Sequence, residues 1–379
     1  MRALLVLSLV LTACVDLDRY APLDPILFAP LEQLLTNDHI DPSREPIRAF
    51  QLADVDGDGA EDLVNANNDN SISVHLAGPR PGSLFDPNEA RSDPANTLPD
   101  SQILARDLDG DGAAELIVAG VDAWKWDVSA LRPKAFHAFS PEVFASAGAF
   151  GSAEDAVAEL WYERFTSDLR VDRWDGAHFV MVASAAVGDG SATTKVRAAD
   201  LDGDGTLDVV VHDHSGSPQL RVFWGGLASI DGGDLITCES SVTSHLLVDV
   251  DNDGRVDVLT ITPTQLFWCQ SLPGHVFGPP GLITPLNSES AVAVADFDRD
   301  RLPDLIVKGA NDKAPNCRVL RNTGGAFDAT RDPISLPGAP DIAPFHRTQI
   351  IGRDLDGDGK VDIVVWAYDG LFWLRNESP

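Results

Sequence analysis

Apolar residues along this chain come in short runs that recur in a fixed order. One kind, "AVAVA" (291–295), "HLLV" (245–248) and "TQII" (348–351), precedes an acidic stretch. A second kind follows it: "DLIV" (304–307), "DVVV" (208–211) and "DIVVW" (362–366), rich in β-branched residues that favour strands. Past a polar turn comes a third, in "SISVHL" (71–76), "LRVDRW" (169–174), "QLRVFW" (219–224), "TQLFW" (264–268), "CRVL" (317–320) and "GLFWL" (370–374). Several alternate with period two, as a strand with two different faces does. A weaker fourth run closes most units, as in "DLITC" (234–238) and "GLITP" (281–285). The pattern predicts units of four short antiparallel strands.

The acidic stretch between the first two runs repeats almost verbatim. "DVDGDGAED" starts at Asp54, "DLDGDGAAE" at Asp107, "DLDGDGTLD" at Asp200, "DVDNDGRVD" at Asp249, "DFDRDRLPD" at Asp296 and "DLDGDGKVD" at Asp354. Successive starts lie 53, 93, 49, 47 and 58 residues apart. The gap of 93 hides a degenerate unit, "GSAEDAVAELW" from Gly151, which keeps Asp155 and Glu159 in register and has lost the first two acids. Periods of ~40–50 residues mark solenoids, propellers and arrays. The expected fold is all-β: a seven-bladed β-propeller of four-stranded antiparallel blades over residues 25–379.

The last unit stops after its third strand, which would leave an exposed sheet edge. The stretch "DPILFAPLEQLL" (24–35) belongs to no unit, so a strand near Ile26 to Ala29 is expected to complete the last blade. A short helix over "LEQLL" is the competing reading.

The acidic loops read as coordination chemistry. Positions 1, 3 and 5 supply carboxylates that converge in a tight turn: Asp54, Asp56 and Asp58; Asp107, Asp109 and Asp111; Asp200, Asp202 and Asp204; Asp249, Asp251 and Asp253; Asp296, Asp298 and Asp300; Asp354, Asp356 and Asp358. Position 7 offers a backbone carbonyl, from Ala60, Ala113, Thr206, Arg255, Leu302 or Lys360. Position 9 is an acid able to bind through both oxygens: Asp62, Glu115, Asp208, Asp257, Asp304 or Asp362. With a water that makes a set of hard oxygen ligands suited to Ca²⁺. Glycines at positions 4 and 6 allow the sharp turn. An EF-hand is excluded, because it needs Glu at position 12 between helices. Position 12 here is Asn65, Val118, Val211, Thr260, Val307 or Val365, and the flanks are strands.

The repeated D-x-D-G-D-G-x-x-D-L pattern resembles the FG-GAP/VCBS repeats of bacterial surface proteins and integrin α-subunits, over roughly residues 25 to 379. The resemblance implies a seven-bladed propeller with calcium in the loops joining first and second strands, and ligands on the opposite face. Five to six Ca²⁺ sites are expected. The loop at Asp296 is the weakest, because Arg299 and Arg301 replace both glycines and would pair with its acids. The degenerate loop at Gly151 should bind nothing.

Net charge narrows the partners. At -31 the chain lacks the basic face that nucleic acid or anionic lipid requires, and cations are its natural partners. The N-terminus, "MRALLVLSLVLTAC", resembles a bacterial lipoprotein signal, with residues 1–13 removed and Cys14 lipidated. Residues 14–24 would be a tether and the lipid the only membrane contact. Val15 after the cysteine favours the outer membrane by the enterobacterial sorting rule. Export implies an oxidising compartment. Of Cys238, Cys269 and Cys317, the preferred pair is Cys238–Cys269; three buried thiols are the alternative.

Nothing in the chain declares catalysis. G-x-S-x-G, P-loop, C-x-x-C and H-E-x-x-H motifs are missing. His212 and His214 flank Asp213 in a loop that reads as plainly polar, and a metal there would still need a third ligand. The Phe-Trp pairs at 223–224, 267–268 and 372–373 suit the space between blades, with glycan stacking as the functional alternative. The polar loops 65–70, 308–316 and 337–346 name no ligand. The expectation is a monomeric, exported lipoprotein acting as a non-enzymatic adhesion or ligand-binding module for a protein or glycan. A polysaccharide lyase or hydrolase, or an envelope-complex scaffold, is the alternative. An enzyme would need His, Glu, Tyr or Arg converging on the axis, where small residues such as Ala198, Ala293 and Gly352 are expected.

Overall fold

A β-branched run on each side of a tight turn forms an antiparallel hairpin, because extended backbone offers its N–H and C=O groups sideways to a neighbour. The computed structural model describes residues 28–29, 32–36, 47–67, 72–77, 85, 90–91, 103–118, 122–127, 132–138, 145–152, 158–164, 168–176, 179–186, 196–213, 219–225, 233–286, 291–308, 317–328, 333–334, 350–367 and 370–378. Over these the protein is an all-β β-propeller, a series of small antiparallel sheets each built around one repeat.

Strand β1 (Glu32–Thr36) comes first in sequence. The first sheet runs β2 (Ile47–Ala53), β3 (Asp62–Asn67), β4 (Ile72–His75), β5 (Ala90–Arg91). The second is β6 (Ile103–Arg106), β7 (Glu115–Val118), β8 (Asp122–Asp127), β9 (Arg132–Ala138). The third is β10 (Ala145–Ser152), β11 (Ala158–Arg164), β12 (Asp168–Trp174), β13 (Phe179–Ala186). The fourth is β14 (Val196–Ala199), β15 (Asp208–Asp213), β16 (Gln219–Phe223), β17 (Asp234–Ile236). In the fifth, β18 (Ser244–Val248), β19 (Asp257–Ile261) and β20 (Gln265–Cys269) are followed by a small hairpin, β21 (Ser271–Leu272) and β22 (Val276–Phe277), before β23 (Gly281–Pro285) completes the sheet. The sixth holds β24 (Ala291–Ala295), β25 (Asp304–Lys308) and β26 (Cys317–Asn322), with β27 (Phe327–Asp328) and β28 (Pro333–Ile334) both paired to β26. The last comprises β29 (Ile350–Arg353), β30 (Asp362–Ala367) and β31 (Gly370–Leu374), and β1 lies on its outer edge.

The pairing of β1 with β31 is antiparallel, from Glu32↔Trp373 to Thr36↔Gly370. The strand therefore sits downstream of the stretch Ile26 to Ala29 where sequence placed it, and "LEQLL" is extended, not helical. Of the earlier stretch, Phe28 forms an isolated bridge with Asn376, and Ala29 N–H donates to the Arg375 carbonyl at 2.8 Å. Ile26 lies outside the described residues. The degenerate unit also makes a full sheet, with Gly151 on β10 facing Glu159 on β11; Asp155 lies outside the described residues.

Apolar clusters join several neighbouring sheets. Val55, Val64 and Val74 meet Leu116; Leu169 and Val171 meet Val196 and Val211; Leu259 and Leu266 meet Leu305 and Leu320; Ile306 and Val319 meet Ile363 and Val365. One cluster spans the chain's extremes, packing Phe50, Leu52 and Leu63 of the first sheet on Val364 and Leu371 of the last. The Phe-Trp pairs belong to this packing: Phe223, Phe267, Phe372, Trp224 and Trp373 are buried. Cys238 and Cys269 are disulfide-bonded, tying the end of the fourth sheet to β20, and Cys317 is a buried free thiol. His212 is buried on β15, while His214 lies outside the described residues, as do most of the loops at 65–70, 308–316 and 337–346.

Candidate metal-binding loops

Each acidic loop leaves a first strand and enters a second, so the hairpin topology puts six loops at the same end of successive sheets. Their backbones are nearly identical. Positions 4 and 6 are left-handed, as at Gly57 (φ 77°) and Gly59 (φ 87°), a conformation that strains any residue carrying a side chain. Three non-glycines take the same conformation: Asn252 (φ 56°), Arg299 (φ 61°) and Arg301 (φ 74°). The loop at Asp296 thus keeps its shape despite losing both glycines, against about 1–2 kcal/mol of strain per residue.

The carboxylates organise this turn by accepting from its own amides. Asp54 takes the Gly57 N–H on Oδ1 at 2.7 Å and the Gly59 N–H on Oδ2 at 2.9 Å. Asp200 does the same with Gly203 (2.7 Å) and Gly205 (2.8 Å), and Asp354 with Gly357 (2.9 Å) and Gly359 (2.8 Å). Position 5 accepts from position 7, as Asp204 does from Thr206 at 2.6 Å. The position-9 acid ties two strands together. Asp62 accepts from Val55 N–H (2.9 Å) and Ala77 N–H (2.7 Å), and Asp208 from Leu201 (2.8 Å) and Gly225 (2.7 Å). Asp257 adds the Trp268 indole at 2.9 Å to Val250 and Ser271.

These acids crowd together. Carboxylate oxygens of Asp54, Asp56 and Asp58 lie within 4.8 Å of one another, as do those of Asp107, Asp109 and Glu115; of Asp200, Asp202 and Asp208; of Asp249, Asp251 and Asp257; and of Asp296, Asp298 and Asp300. Such clusters could hold a metal ion. The donors fit a hard cation: every oxygen is a carboxylate or carbonyl oxygen, and accepting one N–H leaves a second lone pair. The buried Oδ1 of Asp251 has no hydrogen-bond donor, though its Oδ2 accepts from Gln270. Burial pushes the position-9 acids above the ordinary value of 3.8: Asp304 to about 8, Asp62 to about 7, and Asp208, Asp257 and Asp362 to about 6. Neighbouring carboxylates add to the rise at each, and burial likewise raises Asp298 to about 6, followed by the charge of Asp300. A cation in the loop would remove this penalty.

Several partners of these acids escaped the sequence reading. Arg321 Nε lies 3.4 Å from Asp298 Oδ2, and Arg375 Nε 2.6 Å from Asp356 Oδ2. Arg299 reaches the next loop, donating to the Gly359 carbonyl at 2.9 Å, and Arg321 from the third strand stands beside Asp298. The adjoining asparagines bridge sheets: Asn322 Nδ2 donates to Val250 O (2.6 Å) and Asn376 Nδ2 to Phe297 O (3.2 Å). A repeated "LRN" at 320–322 and 374–376 was the available signal. His275 Nε2 sits 2.9 Å from Asp202 Oδ2 with its ring stacked on Trp224 at 4.4 Å; no spacing rule points to it.

The family described as FG-GAP-like repeat matches residues 249–307, which run from the acidic loop of the fifth sheet through its later strands to β24, the acidic loop and β25 of the sixth. This chain is a β-propeller carrying an FG-GAP-like repeat. No curated protein matches it. Among solved structures, this propeller is similar to BBS1N in complex with ARL6DN. The lead-soaked crystal gives a TM-score of 0.56 at 14% identity, over 93% of this chain and 96% of that one. The mercury-soaked crystal gives 0.54 at 15%, over 93% and 97%. An Agrocybe aegerita lectin that recognises non-reducing terminal N-acetylglucosamine aligns over 87% and 86% at 15% identity with a TM-score of 0.44. The BBS1N likeness is one of fold.

Proposed function

We propose that this protein is a calcium-stabilised, non-enzymatic propeller that presents a binding face to a protein or glycan at the cell envelope. One observation carries the reading: six loops repeat one donor set at one end of the sheets, while the turns at the other end differ from sheet to sheet. Shared features serve the scaffold and unshared ones serve recognition. The sheet order and the cluster joining Leu63 to Leu371 support a ring of seven blades whose last blade β1 completes. At millimolar calcium and a dissociation constant of about 10⁻⁴–10⁻³ M, each site contributes roughly 0.4–1.4 kcal/mol.

Calcium would be held by the acids at positions 1, 3, 5 and 9 and the carbonyl at position 7, with the loop at Asp296 the weakest. The leader resemblance supports export and anchoring through Cys14. Among the described residues no helix is long and apolar enough to cross a membrane. The chain acts as a monomer in this reading.

Affinity capture from envelope extracts tests the binding role, comparing the full chain with a variant whose turns between second and third strands are replaced by short glycine-serine links. A protein or glycan retained by the first and lost with the second is expected. Equal retention by both would place the binding elsewhere.

A further inference from the structure

The first strands of the first, fourth, fifth, sixth and last sheets surround an axial channel of about 740 Å³, within the ~300–1,000 Å³ of small-ligand sites. Its described wall contains two arginines, Arg197 and Arg353, and no Asp or Glu. In a chain of net charge -31 this is the reverse of the general balance.

The two arginines differ. Arg353 is neutralised by Glu61, to which its Nε donates at 2.6 Å. Arg197 Nε donates to the His245 carbonyl of the adjoining first strand at 2.9 Å, and among the described residues this neutral group is its one partner. A guanidinium carries five N–H donors, so one carbonyl leaves most of its fork and all of its charge uncompensated. Burial lowers the Arg197 pKa below its ordinary value, as it does for any cation taken out of water. Gln51, Thr243 and Ser244 add neutral polar groups to the same wall.

We propose that the axial channel binds a small oxyanion, a carboxylate or a sulfate- or phosphate-type group, on the guanidinium of Arg197. The oxyanion supplies the countercharge that the described residues of the channel wall lack, and a planar or tetrahedral anion matches two N–H groups of the fork at once. The site is independent of the acidic loops and of whatever meets the opposite face.

Calorimetric titration of the full, calcium-loaded chain tests this, with sodium glucuronate as the carboxylate probe and sodium sulfate as the tetrahedral one. One saturable site per chain is expected for at least one probe, and the stronger of the two identifies the anion class. Arg197→Gln should weaken it about tenfold or more, and Arg197→Lys should keep part of the affinity. Gln51→Glu leaves the Arg197–His245 bond in place and adds a carboxylate to the wall, so it should weaken binding comparably and decides the matter if the arginine variant does not fold. No saturable heat from the wild type with either probe, or an affinity unchanged in a folded Arg197→Gln or in Gln51→Glu, overturns the proposal.

Discussion

Arg353, at the end of the last sheet's first strand, donates from Nε to Oε2 of Glu61 in the first acidic loop at 2.6 Å, across 292 positions of sequence. The pair joins the two ends of the repeat array where Leu52 and Leu63 pack on Val364 and Leu371. Both side chains are partly exposed, so water and salt weaken the attraction. A double-mutant cycle of Glu61→Gln and Arg353→Gln is expected to give a coupling of about 0.2–1 kcal/mol that falls with ionic strength. A coupling of several kcal/mol would show that the junction is held by charge and not by its apolar cluster.

The raised acids make stability depend on pH in a direction that metal should reverse. Asp304 at about 8, Asp62 at about 7, and Asp208, Asp257, Asp298 and Asp362 at about 6 hold protons in the folded chain that the unfolded chain, near 3.8, has released. Where the folded state binds more protons, stability falls as pH rises. Melting of the chelated protein should therefore occur at higher temperature at pH 5 than at pH 8. A cation needs these groups ionised, so saturating calcium should raise the melting temperature, most of all at pH 8. A chelated protein that melts higher at pH 8 than at pH 5 would contradict the burial-driven shifts.

Loop conformation can be tested separately from loop charge. Gly205 has φ +88° and nothing within 4 Å of where a Cβ would stand, so Gly205→Ala adds backbone strain without a clash. Chemical denaturation should register a loss of about 1–2 kcal/mol. The converse is Arg301→Gly, which relaxes a left-handed arginine while keeping the backbone N–H that Asp296 Oδ2 accepts at 3.0 Å. It should gain up to about 1 kcal/mol, and a loss instead would mean that the Arg301 side chain contributes more than its strain costs.

The disulfide closes a sequence separation of 31 residues between two sheets. Chain-entropy arguments assign such a link about 3–4 kcal/mol. Replacing both Cys238 and Cys269 with Ser should lower unfolding free energy by that order. Equal stability with and without the bond would show that the interface packing of Trp224, Val258 and Cys269 already restrains this region.

Much of the fold was legible because its determinants are local. An Asp-rich turn with glycine at two positions, flanked by β-branched runs, specifies a hairpin within about a dozen residues, and repeating it specifies a propeller. The Phe-Trp pairs declared their place through their position on third strands. Cys238–Cys269 was harder, since three cysteines allow more than one pairing and only their separation in space selects it. At the loop starting from Asp296, Arg299 donates to the carbonyl of Gly359 in the next loop, a neighbour that no local pattern contains.

The repeat, the antiparallel hairpins and the acidic turns are written into the chain locally, because each follows from the chemistry of neighbouring residues. Tertiary structure decided what depends on bringing distant segments together: the outer strand at Glu32–Thr36, the Glu61–Arg353 junction and the channel lined by Arg197. Those features rest on packing between sheets and on charges removed from water, and neither is a property of any single stretch of sequence.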